Sequence, residues 1–355
     1  MTKLTFVLTI TLGALSYSAQ GADTPSGLSF WHEDWELACD NTRTCRAAGY
    51  QADNDELAVS VLLSRKAGPG EPVTGELMIG QYGENEALTR LPARFKVTMR
   101  VNGHAVGRLA IEQNRLVAKL SEKQVAALLA AMHREADIEW VAEDVVWRLS
   151  DKGAAAVLLK MDDFQGRVGT QGAAFKKGSR DESRVLPALT VPVVTAAALA
   201  KPRADDDRFL KRNPKMLRDA LMAGVKGDEC YALMEDGDEP AELSAVRLSE
   251  TKMLVSGECW RGAYNVGIGY WVVDDAPPYR AVLVTTGGSG FSDSSITATQ
   301  KGRGLGDCWS SDAWIWDGTK FVHSESSTTG MCKLLAPGGG WSLPTIVTEE
   351  RPATR

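Results

Sequence analysis

Histidine is scarce in this chain. The 355 residues hold four, His32, His104, His133 and His323, each alone in its stretch. Metal sites built on histidine need ligands at helical or hairpin spacing, so no metal centre is expected. The six cysteines include no C-x-x-C pair and have no histidine close by, which argues against a zinc ribbon or a thiol redox site. Basic excess is also missing. Lys and Arg number 40 against 46 Asp and Glu, for a formal charge of −6. Nucleic acid and anionic membranes favour basic patches, so neither is the expected partner. Beyond residue 21 no apolar run approaches the ~20 residues of a bilayer span. There is no tandem repeat and no low-complexity tail.

Nucleotide and nucleophile motifs are lacking too. Gly287-Gly288-Ser289-Gly290-Phe291 misses the G-x-S-x-G elbow, because Phe291 stands where the second glycine belongs. The run Gly302-Arg303-Gly304-Leu305-Gly306 has neither the spacing nor the strand context of a dinucleotide loop. No cofactor is expected. Asp162-Asp163 and Asp274-Asp275 are adjacent acids; neighbours on a strand point to opposite faces, so neither pair alone makes a glycosidase site.

What the chain does have begins at its start. Lys3, an apolar stretch over 4–15, and small residues Ala19 and Gly21 read as a signal peptide cleaved after Gly21. No cysteine follows the apolar stretch, so a lipid anchor is not expected. Residues 1–21 carry one lysine and no acid, and without them the charge is −7. The expected location is periplasmic or secreted. There, an even number of cysteines points to disulfides. Six cysteines allow 15 pairings; nearness along the chain favours Cys39–Cys45, Cys230–Cys259 and Cys308–Cys332.

The pattern predicts an α+β protein of two domains, mostly antiparallel β with a few short helices. The N-terminal α+β domain is expected over 22–186, a Pro- and Ala-rich linker over 187–207, and a β-rich C-terminal domain over 208–350. In the first, strands are predicted over 30–39, 57–64, 95–101, 106–111 and 138–149, with Asn102-Gly103 as a hairpin turn. Ser121 and Gln124 form a capping box ahead of Val125, Leu128, Leu129 and Met132. A second helix is expected from Ser150 to Gly166. In the second domain, Asn213 and Pro214 open a helix with Met216, Leu217, Ala220 and Leu221 facing inward. Strands are predicted over 243–248, 252–260, 266–273 and 280–286. A hairpin then turns at Asp317-Gly318, with Trp314 and Trp316 on one face.

Four stretches carry a resemblance. They are WELACDNTRTCRAAGY from Trp35, SRKAG from Ser64, WRLSDKGAAAVLLKMDDFQGRVGT from Trp147 and GDCWSSDAWIWDGTKF from Gly306. Through them the chain resembles the bacterial secreted family catalogued as domain of unknown function 1176. That resemblance implies export and a two-part layout, and supplies no catalytic residues. The first half is also similar to the invasion-associated locus B proteins, through the Trp-x-x-x-Cys opening and the helix start Ser150, Gly153, Ala156 and Val157. That likeness implies an envelope or surface role.

Six of the ten tryptophans lie in the second half. Trp309, Trp314 and Trp316, with Arg261 and Arg303 near them, are candidates for a platform that binds a protein or a cell-wall glycan, since Trp and Arg are enriched at such surfaces. Gln165 and Arg167, in a polar Gly-rich stretch, are candidates for a binding loop. The expected function is an exported envelope binding module, more binder than enzyme. The alternatives are a hydrolase of envelope glycan or peptide, and an inhibitor of a lytic enzyme that inserts the rigid loop 40–44.

Overall fold

A computed structural model describes residues 27–83, 85–233 and 242–352. The stretch 1–21, expected to be a signal peptide, lies outside them. The fold is mostly antiparallel sheet with short helices and three disulfides: Cys39–Cys45, Cys230–Cys259 and Cys308–Cys332. No helix among the described residues is long and apolar enough to cross a membrane.

The first sheet has six strands, in the order Leu28–His32, Trp35–Cys39, Cys45–Tyr50, Val59–Arg65, Val73–Ile79 and Val117–Lys119. Alternation assigns its two faces. Leu37, Ala47, Val61 and Leu63 point into the main core, whereas Ala38, Ala48, Tyr50 and Leu62 form a second cluster on the opposite face. The main core is completed by a four-stranded sheet, ordered Val145–Leu149, Ile138–Ala142, Arg94–Val101, His104–Glu112, and by the helices Glu122–Ala131 and Ala154–Phe164. Gly49 has no side chain because the Trp35 ring lies across it; a Cβ there would stand 2.3 Å from the indole. The opposite face is covered by the far end of the chain. Leu335, Leu343 and Trp341 pack on it, and Trp341 Nε1 donates to Ser60 Oγ at 2.7 Å.

In the second half, a four-stranded sheet (Leu243–Arg247, Lys252–Arg261, Val266–Asp274, Val282–Gly288) packs face to face on a five-stranded one (Gly290–Ser292, Ser295–Lys301, Trp309–Trp316, Phe321–Thr328, Leu343–Ile346). Leu254, Tyr270 and Val272 meet Ile296 and Trp316 between them. Met253, Val255, Trp271 and Val273, on the other face, pack on the helices Phe209–Arg212 and Pro214–Met222. The stretch 187–207 contains a strand, Val193–Ala196, which pairs in parallel with Glu349–Pro352 near the end of the chain.

Several elements depart from the sequence pattern. The strand expected over 30–39 turns back at Glu33-Asp34, and 138–149 turns back at Glu143-Asp144; each is an antiparallel hairpin. Glu33 and Glu143 take positive φ without being glycine, so neither turn carries the usual signature. The helix expected from Ser150 starts at Ala154. Ser150 instead donates its N–H to Tyr50 O, and Gly153 (φ 92°) lies so near His32 O that no Cβ fits. The capping box at Ser121 and Gln124 forms as written. Asn213 caps nothing with its side chain; its amide donates to the Tyr279 hydroxyl at 3.3 Å. Leu217 and Leu221 are buried as expected, but Met216 faces solvent, because the core contact of this helix is narrower than its apolar stripe.

Candidate interaction surface

The loop 302–306 joins two strands that pair Lys301 with Trp309. Its shape is over-determined by bonds. Gly302 N–H donates to Cys308 O at 2.9 Å, and Gly306, at φ 70°, donates to Arg303 O at 3.0 Å. The Gly306 carbonyl accepts from Trp309 Nε1 at 3.0 Å and from Gly338 N–H at 2.9 Å. Arg303 grips Asp307 through two bonds of 2.8 and 2.6 Å, and Leu334 N–H reaches the same carboxylate at 2.8 Å. The guanidinium, foremost among these, holds the Asp307 carboxyl below the usual range, and the Asp307 carboxylate raises Arg303 in turn. Asn265, in the neighbouring turn, both donates to Lys301 O at 2.9 Å and accepts from Lys301 N–H at 3.0 Å. Lys301 Nζ stands 5.4 Å from the centre of the Trp309 ring. The disulfide Cys308–Cys332 closes the base.

On this fixed frame the apolar tips turn outward. Leu305 is 54% exposed and Tyr264, on the 262–265 turn beside Gly304, is 47% exposed. The Tyr82 hydroxyl donates to Leu305 O and holds the backbone of the tip. The loop thus offers rigid apolar contacts beside half-buried Trp309 and Arg303. Trp309 and Arg303, named from the sequence, come together here. Arg261 lies on the strand that leads into the Tyr264 turn, exposed and paired with Glu258 at 2.6 Å. Leu305, Tyr264 and Lys301 were not named. Residue type picked out Arg303 and Trp309, but not which side chains the loop exposes.

The other tryptophans lie elsewhere. Trp316 is 1% exposed and belongs to the apolar cluster between the two sheets. Trp314 packs on the same cluster and stacks on His323, with ring centres 4.8 Å apart. A register shift between Ala313 and Trp314 accompanies this placement. The pair is therefore packing, not the open platform expected. His323 Nε2 meets Asp312 Oδ1 at 2.9 Å, half-exposed on the neighbouring strand.

Gln165 and Arg167 are both fully buried. Gln165 donates to Arg43 O and Arg65 O and accepts from Arg167 Nε at 3.0 Å. Arg167 donates to Glu182 Oε1 at 2.7 Å and to Gly68 O. Asp162 accepts three backbone N–H groups, from Ala174, Phe175 and Lys176. Burial, followed by the neighbouring Arg167, pushes Arg65 down to about 10. Every polar arm of Gln165 and Arg167 points inward, so this stretch ties a loop down and presents nothing to a ligand. The loop 40–44 is likewise no free finger. Asp40 and Asn41 are buried, and Asn41 exchanges two hydrogen bonds with the Val347 backbone.

Among the described residues, one group has metal-ligand character: Asp307, Cys308 and Cys332, with ligand atoms within 4.8 Å of one another. The two sulfurs are bonded to each other and Asp307 is held by Arg303 and Leu334, so the donor set is already occupied and does not fit a metal.

The uncharacterised protein YpfG of Escherichia coli (strain K12) is 25% identical over 318 residues, covering 81% of this chain and 84% of that protein. No solved structure matches. The model of the family described as protein of unknown function (DUF1176) matches residues 29–348, across both halves, and the chain belongs to that family.

Proposed function

We propose that this protein is an exported envelope component that docks on another protein through the 302–306 loop and the Tyr264 turn. The observation that carries the proposal is Leu305 and Tyr264 standing exposed on a loop whose backbone is already fixed. Exposed apolar groups gain from being covered, and a preformed loop loses little conformational freedom on binding. Export is supported by three disulfides with no free cysteine among the described residues, and by the signal-like pattern over 1–21. A link to the invasion-associated locus B proteins belongs to the same proposal, as does the division into two domains. Separate apolar clusters over 35–174 and 209–279 support the division.

A photo-crosslinking residue at position 305, in the full chain in cells, tests the docking reading. The expected result is a discrete protein adduct that Tyr264→Ala weakens. An adduct-free protein overturns it. Inhibition of a lytic enzyme is one form such docking takes, and would show as lost lytic activity when the protein is added.

One observation favours a second reading, a hydrolase of envelope glycan or peptide. Asp312 orients the His323 ring through Nε2, which leaves Nδ1 to act as a base. Undiminished glycan or peptide release by His323→Ala would end that reading.

A further inference from the structure

The three disulfides differ in setting. Cys39, Cys45, Cys230 and Cys259 are fully buried and belong to apolar clusters, and Cys308 is 3% exposed. Cys332 is the one cysteine of the six that is only partly buried. The side chain missing at exposed Gly302 adds to this: a Cβ there would stand 2.6 Å from Cys308 Sγ and 3.1 Å from Cys332 Sγ. The Gly302 backbone therefore lies directly against the S–S bond, and the partly buried side is that of Cys332.

The same bond joins two working parts. Cys308 closes the loop that carries Leu305. Cys332 lies in a segment seated on the first sheet. Met331 N–H donates to Glu36 Oε1 at 2.7 Å, Lys333 meets Asp34 at 2.8 Å and also Asp53, and Leu335 packs with Ala38, Ala48 and Leu62. The remaining ties between loop and segment are hydrogen bonds, from Leu334 N–H to Asp307 and from Gly338 N–H to Gly306 O.

We propose that Cys308–Cys332 is a reducible clamp on the docking loop, opened by a dithiol protein of the Cys-x-x-Cys class; its regulatory meaning rests on the docking reading above. A thiolate of the dithiol attacks Cys332 Sγ, the S–S bond breaks, and Cys308 leaves as a thiolate that takes up a proton. The second thiol of the reductant, as thiolate, then attacks the mixed disulfide and releases Cys332, which is protonated in turn. Two electrons pass to the clamp, and the reductant ends as a disulfide. Access decides which bond is attacked first. The loop then keeps its hydrogen bonds but loses its covalent tie, so its backbone loosens without global unfolding.

The test uses the full chain, titrated with dithiothreitol and trapped by isotope-coded alkylation with peptide mass spectrometry. The expected result is labelling of Cys308 and Cys332 about tenfold sooner than the other four, with far-UV circular dichroism unchanged and amide exchange rising over 302–307. Labelling of all three pairs together, or only as the fold is lost, overturns the clamp whatever position 305 crosslinks. Selective labelling with no adduct at position 305 in either redox form upholds the clamp and overturns the docking reading.

Discussion

Two glycine-rich stretches, 165–170 with the binding-loop candidates Gln165 and Arg167 and 302–306 beside the platform candidate Trp309, are used by the fold in opposite ways. The Arg167 side chain closes on the protein itself, with Gln165, Glu182 and Gly68 O as partners. Around Arg303 the charge is also satisfied internally, by Asp307, but the neighbouring apolar side chains point out. The first arrangement fixes a loop against the sheet beside it. The second fixes a loop so that it can be covered by something else. Glycine turns and internal ion pairs are common to both; the direction of the apolar side chains separates them.

Substitutions sharpen the contrast. Arg167→Ala takes a donor from buried Gln165 and from the partly buried Glu182 and Gly68 carbonyl and empties a buried side-chain site, and is expected to cost about 2–4 kcal/mol, read as a lower urea midpoint. A loss under about 1 kcal/mol would erase the distinction drawn here.

Acid should act next. Arg247 holds the Asp206 carboxyl at about 2, against 3.8 normally. The folded state therefore gains stability from this group above the ordinary pKa and loses it as pH falls from about 4 toward 2, by about 1–2 kcal/mol once partial solvent screening is allowed for. An Asp206→Asn variant should lack that part of the acid dependence in thermal melts.

Glu36 has the opposite sign. Burial raises its carboxyl above 4.5, partly offset by donation from Tyr50 Oη and Met331 N–H. The folded protein holds that proton more tightly than the unfolded chain does, so stability contributed at low pH is lost as pH rises through the raised value. Glu36→Gln should match the parent in acid and exceed it in stability at neutral pH, read in thermal melts at the two pH values. A variant less stable than the parent at pH 7 would refute this.

The smallest effect is expected at the surface. Leu305→Ser should change stability by less than about 0.5 kcal/mol while abolishing partner capture. A larger loss of stability would make Leu305 part of the packing.

Local signals were legible and distant ones were not. The capping box at Ser121, the turn at Asn102-Gly103 and the hairpin at Asp317-Gly318 each need only neighbours, and each formed. The turns at Glu33 and Glu143 were missed because a non-glycine residue holds positive φ there, held by strand pairing on both sides. The second helix began late because Ser150 answers to Tyr50, a partner 100 residues earlier. At the candidate site, Trp309 and Arg303 stood out by type. Leu305 did not, because a leucine in a glycine run looks no different whether covered or bare. Trp314 and Trp316 were placed correctly on a strand, yet alternation alone does not say which face another sheet will cover.

The outer face of the first sheet carries a consequence for how the molecule is made. Ser60 and the Trp341 that covers it lie 281 positions apart, and Ala38, Ala48 and Leu62 wait for the same late segment. In sequence order the six strands of that sheet all come well before the segment that covers its outer face. Any chain that stops short of residue 331 ends its synthesis with that greasy surface bare, and becomes prey for chaperones and proteases rather than a smaller working protein.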